Sequence, residues 1–526
     1  MEKQLWFACE EGSIEEVINL LQNSQINPNW QDPLSQTPFF IACHYGHIEI
    51  VKLLLNDNRV DIGKQDKYNQ TPFYIACRNR HIEIVELLLS DERIDINKAH
   101  LEGATPFYNA CQRGHIEIVK LLLNDNRVDT NQSLNNGYSP FWIACHYGHI
   151  DIVRLLLNDQ RVDFNKEGSR SKQTPFFVAC EKGYFEIVQL LLNNEKVDIN
   201  KAENVCNFTP LYVACEKGHI EIVKLLLNDK RLDINKVRDN GATPFYLACQ
   251  EGRLEIVKLL LDDQRVKINQ ANINDITPFL IACYKGHIEI VKLLLSDERV
   301  DINKANNNEA TPFWIVCEKG QIEVMKLLLN DERGNINQAE FSGTTPFSIA
   351  CRKGHIEIVK LLLNDQRVDV NKPNNFGQTL FWLSCYKGQT EIVKYLLASG
   401  REMDINQKDP KGKTGLDIAR ERGNEGKKNQ ESEEDFKNKK RNCLKMVELI
   451  ESFERNQNET RFKLRIELGL DGKFISLFLY FFIYFKASSS SSYVLLFHKI
   501  FIDVGAASLF ALLVLLSDRF LDFRHN

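Results

Sequence analysis

The 526-residue sequence contains no paired carboxylates at catalytic spacing, no nucleophile elbow, no Ser/His/Asp set and no kinase motif. No catalytic residue and no cofactor are therefore expected, and the chain reads as a non-enzyme. Long apolar runs are also missing. The two apolar stretches, 474–485 and 504–516, both fall short of the roughly 18 residues that cross a bilayer. A leader peptide is not expected either, because MEKQLWFACEEG places charges where such a segment would be apolar. Neither sign of charge dominates. A net charge of −5 argues against a general polyanion binder, so no nucleic-acid partner is expected, although local patches stay open.

What is abundant is repetition. A Thr-Pro pair, or its counterpart, falls at 37, 71, 105, 139, 174, 209, 243, 277, 311 and 345, at intervals of 34 or 35 residues. A fixed period of this size marks a repeat architecture, in which each unit buries its apolar face on its neighbours. The period also explains the 14 cysteines. Cys9, Cys43, Cys77, Cys111, Cys145, Cys180, Cys215, Cys249, Cys283, Cys317, Cys351 and Cys385 share one repeat position, and only Cys206 and Cys443 fall outside it. Stacked helices lie about 8–10 Å apart, whereas a disulfide needs Cα atoms within about 7 Å. The periodic cysteines read as small buried apolar residues in a reducing compartment, the cytoplasm.

The copy at Thr345 reads TPFSIACRKGHIEIVKLLLNDQRVDVNKPNNFGQ. Thr345 is placed to cap a helix, and Pro346 suits the first helical position, where no N–H is needed. Phe347, Ile349, Ala350 and Cys351 make a short apolar helix that Gly354 ends by accepting a left-handed backbone. A second helix, HIEIVKLLL, leaves Glu357 and Lys360 as its solvent positions, three apart and able to pair. A helix so nearly apolar must be covered by neighbours. The polar run that follows is turn material.

This unit resembles the ankyrin repeat. Thr345-Pro346, Ala350, Gly354-His355, Val359, Leu361-Leu362 and Asp369-Val370-Asn371 match the family pattern, and close copies cover about 400 residues. The resemblance implies an all-α ankyrin-repeat solenoid of stacked helix pairs with hairpin loops. Two departures are systematic. The family's histidine after Thr-Pro-Leu is aromatic in most copies: Phe40, Tyr74, Tyr108, Trp142, Phe177, Tyr212, Tyr246, Trp314 and Trp382. The period is also one residue longer than the family's, because LLLNDxRVDIN replaces a shorter glycine-containing turn.

The organisation follows. Residues 1–36 form an N-terminal capping repeat without Thr-Pro, and 37–400 hold repeats 2 to 12, with Leu380 replacing the last proline. Residues 401–456 form a degenerate C-terminal cap, with Thr414 and Gly423 aligning on Thr37 and Gly46, and Val447 on Val51. The offsets, 377 and 396, differ by a charged insertion of 19 residues, 424–442, expected to be a solvated loop or a flexible helix. Residues 457–526 are a polar then apolar tail. Two readings remain for 472–502. Gly472-Lys473-Phe474 can be encoded with a splice-donor sequence and Ile502-Asp503 with an acceptor, which makes the segment a translated intron. Alternatively it is a real hydrophobic hairpin or tail anchor that turns at Ser488–Ser492. Sequencing the messenger across these codons separates the two.

Several tempting motifs dissolve on inspection. Cys43-His44 with His47, and its copy at Cys145, have metal-ligand residues but not four convergent ligands; the histidine after glycine is expected to bond nearby backbone. Gly412-Lys413-Thr414 lacks the earlier glycine of a phosphate loop, because Gln407 stands there. The hairpin 167–172 is either a basic contact, a modification site or a solvated loop. The aromatic row reads as core between repeats.

The resemblance implies a non-catalytic scaffold or adaptor that binds partner proteins through hairpin tips and the exposed ends of first helices. On this chain the latter are the two positions between cysteine and glycine. They give His44, Tyr45, Arg113, His146, Tyr147, Lys182, Lys217, Tyr284, Lys285, Lys319, Arg352, Lys353, Tyr386 and Lys387 as candidate partner contacts. A membrane-anchored adaptor held by the apolar tail and a regulatory subunit of an enzyme supplied in trans are the alternatives.

Overall fold

The structure, a computed structural model, describes residues 1–169, 171–426 and 432–470. These contain 27 helices and no strand. Two units are distinguished, Met1–Ile273 with repeats 1 to 8 and the part from Asn274 onward with repeats 9 to 13. Both readings of segment 472–502, and the apolar stretch 504–516, lie outside the described residues. No described helix is long and apolar enough to cross a membrane.

Each repeat forms as its local chemistry dictates. The hydroxyl of Thr37, and of its counterparts to Thr379, accepts the N–H three residues on at 3.0–3.3 Å, which satisfies an otherwise free first-turn donor. Leu380 replaces proline without loss of the helix start. In repeat 2 the first helix, Pro38–Tyr45, buries every residue from Pro38 to Cys43. The second, Ile48–Leu55, buries only Ile50, Val51 and Leu54, while Ile48, Leu53 and Leu55 are half-buried. The fully covered layer is therefore the first helices, which pack on the first helices of both neighbours, and not the more apolar second ones. All 12 periodic cysteines lie in this layer, reduced and buried. Burial alone pushes the Cys9 thiol up to about 12. The aromatic row is buried with them, except for half-buried Trp314, whose Nε1 donates to the Thr344 carbonyl at 3.0 Å.

The longer loop has a specific use. In NDxRVD, the arginine doubles back on the aspartate two residues before it, Arg127 Nη2 to Asp125 at 2.6 Å, and the same Nη2 donates to the Leu89 carbonyl of the preceding repeat at 2.7 Å. Leu89 is the last residue of that repeat's second helix. A cation thus sits on the carbonyl end of a helix, where the backbone dipole favours it. Arg93, Arg161, Arg231, Arg265, Arg333 and Arg367 repeat the contact on Leu55, Leu123, Leu192, Leu227, Leu295 and Leu329. The neighbouring guanidinium holds each aspartate, for example Asp125, below the usual carboxylate range, chiefly through the side-chain hydrogen bond.

An asparagine ladder runs beside this clamp. Asn97 Nδ2 donates to the Arg127 carbonyl at 2.7 Å and its Oδ1 accepts the Asp129 N–H at 2.8 Å, so one amide bridges two backbone groups of the next repeat. Asn29, Asn131, Asn165, Asn200 and Asn235 do the same in the first unit, and Asn303, Asn337 and Asn371 in the second. The hairpin tips add a third link, such as Leu101 N–H to Tyr68 O at 3.1 Å.

Repeat 13 departs from its alignment. Its first helix, Gly415–Asn424, runs through Gly423 without a left-handed residue there. The end of the charged insertion is helical, since one helix spans Glu433–Arg455. That helix buries Cys443, Met446, Ile450 and Phe453; Met446 and Ile450 fall on buried Ile50 and Leu54 at the offset of 396, while Val447, aligned on Val51, is half-buried. After Asn456 the last described helix, Gln457–Glu467, packs on the second helix of repeat 12, Thr390–Ala398. Lys394 and Glu467 pair at 2.7 Å, and Arg461 and Arg465 donate to the Leu397 and Ala398 carbonyls at 3.4 Å. This helix thus supplies the cations that the next repeat's loop supplies elsewhere.

Gly63 stands where the ladder has asparagine, and a Cβ there would meet only Asp61 Oδ1, at 3.8 Å. Gly63→Asn is expected to complete the rung to repeat 3 and to stabilise the chain by about 1 kcal/mol beyond Gly63→Ala, which isolates the backbone-entropy gain. Urea unfolding midpoints check this; an asparagine variant no more stable than the alanine one removes the ladder as a stabilising device.

Candidate partner-binding surface

The two residues between the buried cysteine and the turn glycine differ in placement. The second is exposed in Tyr45, Arg113, Tyr147, Lys182, Lys217, Lys285, Lys319, Lys353 and Lys387. The first is half-buried in His44, His146 and Arg352 and exposed in Tyr284 and Tyr386. Tyr45 and Tyr147 have 49% and 50% of their surface accessible, high for aromatic side chains on short rigid helices.

A bond between repeats fixes this backbone. His81 Nε2 lies 2.8 Å from the His44 carbonyl, His115 Nε2 3.1 Å from that of Arg78, and His149 Nε2 3.0 Å from that of Gln112. A carbonyl only accepts, so each Nε2 carries the proton. The histidine after glycine therefore bonds the preceding repeat, about one period back, rather than nearby backbone as its sequence position suggests. Arg253 makes the same contact on Glu216 O at 2.9 Å. Where the preceding turn holds glycine, the imidazole lies over it so closely that a Cβ on Gly46 would come within 2.5 Å of the His81 ring, and one on Gly114 within 2.9 Å of the His149 ring. That proximity, with φ near +80° at these glycines, accounts for the recurrence of Gly-His.

Side chains on the surface group differently in the two units. In the first, Tyr45 donates to Glu10 at 3.3 Å, Trp142 and His146 stack at 4.8 Å, and Tyr138 stacks on Trp142 at 3.8 Å. Burial holds His44, His115 and His146 below the usual imidazole range, helped by nearby Arg78 for His44 and Lys182 for His146. Lys217 pairs with Glu216 at 3.2 Å. In the second unit Glu318 lies between Lys319, at 3.8 Å, and Lys353, at 3.6 Å, while Lys319 sits over the Tyr284 ring. Lys387 and Arg422 both lie over Tyr386, at 5.4 and 4.8 Å. The lysine row of the second unit is thus partly neutralised by Glu318. Arg352 and Lys285 are not drawn into these groups.

Sequence reasoning missed Tyr138 and Arg422, and also the apolar hairpin tips. Leu34, Tyr68 and Leu101 are exposed on consecutive tips of the first unit, and Phe341 and Phe376 on consecutive tips of the second. Their spacing, 33 to 35 residues, follows the repeat, but the residue type at the tip changes from copy to copy, so the sequence pattern does not single them out. No group of three His, Cys, Asp or Glu side chains able to hold a metal exists among the described residues. At Gly412-Lys413-Thr414, Thr414 and Asp417 form a reciprocal helix cap and Lys413 pairs with Glu421 at 2.6 Å.

Family profiles described as ankyrin repeats (3 copies) match residues 5–100, 92–168, 161–238, 230–306 and 279–374. A further profile, ankyrin repeats (many copies), matches 364–419. The chain belongs to the ankyrin-repeat family, whose arrays are generally protein–protein interaction modules. No curated protein matches the chain.

One repeat breaks the frame. Arg80 replaces the turn glycine and keeps its left-handed backbone, at φ 65°. A side chain there costs about 1 kcal/mol relative to glycine. Arg80→Gly is expected to raise the unfolding midpoint and to slow amide exchange in the turn 79–82. An unchanged or lowered midpoint would mean that the arginine side chain offsets its own strain.

Proposed function

We propose that this chain is a non-catalytic scaffold or adaptor in the reducing cytoplasm. It captures partner proteins on the exposed ends of its first helices and on its hairpin tips. The observation that carries the reading is the contrast between adjacent positions. From repeat to repeat the cysteine stays constant and buried, while the next two residues change among Tyr, His, Arg, Lys, Asn, Gln and Glu. A fixed backbone with changing exposed side chains is the arrangement a recognition surface needs, because ordering costs are met before the partner arrives. Exposed tyrosine and arginine are the residue types that most often anchor such contacts.

The test is comparative capture. Full-length protein and the variant Tyr45→Ser/Tyr147→Ser/Tyr284→Ser/Tyr386→Ser are used as baits, with captured proteins quantified by mass spectrometry. At least one partner is expected to fall by about tenfold or more while thermal unfolding is unchanged. Identical capture by both baits would remove the first-helix ends as the recognition surface.

A further inference from the structure

The first-helix ends of repeats 2 to 5 carry His44-Tyr45, Arg78-Asn79-Arg80, Gln112-Arg113 and His146-Tyr147, with no acid among them. Arg80 and Arg113 are exposed and Arg78 is half-buried. Elsewhere in these repeats the arginines of the loops are committed: Arg59, Arg93, Arg127 and Arg161 each grip an aspartate at 2.6 Å. Among the described residues, Arg78, Arg80 and Arg113 by contrast form no ion pair and donate no side-chain hydrogen bond. The acids nearest in sequence, Glu49, Glu83, Glu117 and Asp151, belong to the second helices, and two of them are already paired, Glu49 with Lys52 and Glu117 with Lys120.

The three arginines gather around one imidazole: His115 Nε2 bonds the Arg78 carbonyl at 3.1 Å, Arg80 follows Arg78 by two residues in the turn, and Arg113 precedes His115 by two. Glu102 acts on the Tyr74 hydroxyl, as Arg78 and Arg113 do, but forms no ion pair with any of the three; like charges so gathered are unfavourable, and here one of them occupies a strained backbone as well. Arg80 is the single non-glycine residue at the turn between paired helices in repeats 1 to 12, and it keeps φ at 65°. A cation retained at a conformational cost, beside two more cations, points outward to an absent anion.

On either side of this cluster, one repeat away, the same His-Tyr pair occurs, ending in the exposed rings of Tyr45, whose hydroxyl donates to Glu10 and leaves the ring face open, and Tyr147. Three repeat steps separate the two tyrosines, about 30 Å at roughly 10 Å per step. An extended segment of about nine residues spans that distance.

We propose that repeats 2 to 5 hold an extended acidic segment of a partner protein, with its carboxylates on Arg78, Arg80 and Arg113 and its apolar side chains on Tyr45 and Tyr147. This rests on the reading that the first-helix ends bind proteins, and it names the partner's chemistry. The geometry favours a peptide over a nucleic acid. Three cations between two aromatic anchors match a short segment, whereas the acids of the second helices would repel a longer polyanion.

The test uses the full chain and three labelled probes in fluorescence anisotropy: a dodecapeptide repeating Glu-Gly-Leu, its Lys-Gly-Leu counterpart, and a twelve-nucleotide single-stranded RNA. The binding variant is Arg78→Gln/Arg80→Gly/Arg113→Gln, in which the glycine relieves the turn, and a thermal melt confirms that it is folded. The acidic peptide is expected to bind best, to weaken with salt, and to lose about tenfold or more in affinity on the triple substitution. Lys353→Gln/Lys387→Gln in the second unit is expected to leave it unchanged. Equal binding of the two peptides, tighter binding of the RNA, or acidic-peptide binding untouched by the triple substitution would overturn the proposal. Failure of the acidic peptide to bind, together with partner capture that still depends on the tyrosines, would also overturn it while leaving protein binding in place.

Discussion

The contact on which the rest of each unit depends is the one between a repeat and its predecessor. No helix pair here could stand alone: a first helix of eight residues is too short to persist in water, and nearly all of its surface is buried. Its cover comes from neighbours. Three polar devices hold neighbours in register: arginine on the last carbonyl of the preceding second helix, asparagine on the following loop, and histidine on the carbonyl beside the preceding turn. Each is a side chain satisfying backbone groups that helix ends and turns leave open. The stack therefore solves its unpaired-backbone problem between repeats rather than within them.

The same constraint explains the two kinds of sequence in the chain. Residues that touch a neighbour recur because every interface is alike: Cys, Gly-His, NDxRVD and the asparagine. Residues that touch only water are released from it. The terminal repeat illustrates the rule from the other side. With no following loop to clamp the helix Thr390–Ala398, the chain adds Gln457–Glu467, and Arg461 and Arg465 take the open carbonyls.

Much of the fold is legible in the sequence because its signals are local. Thr-Pro, Gly and the apolar runs mark helix starts, ends and faces within a dozen residues, and the period places them. What sequence did not reveal depends on partners one repeat distant. Arg127 is an ordinary loop arginine until the Leu89 carbonyl is seen beside it, and His81 has no visible partner until the stack brings it to His44 O. The second helix is less covered than its apolar composition suggests, because composition does not say which face meets a neighbour. In repeat 13 the alignment holds for Met446 and Ile450, which are buried like Ile50 and Leu54, while Val447 is half-buried because Cys443 and Phe453 shift the covered face. In the candidate surface, the positions followed from the family resemblance, but their charge state did not. Glu318 neutralises lysines that look free in sequence, and Arg78, Arg80 and Arg113 form no ion pair among the described residues.

The central claim is that neighbouring repeats seal an invariant core and leave recognition to what lies outside it. The thiols report on this directly, since 13 of the 14 cysteines are buried and Cys206 alone is exposed, on a hairpin tip. Native protein treated with iodoacetamide near pH 8 and mapped by mass spectrometry should be modified at Cys206 first, with the periodic cysteines reacting only as the array unfolds. Modification of most periodic cysteines at rates comparable to Cys206 would contradict the account.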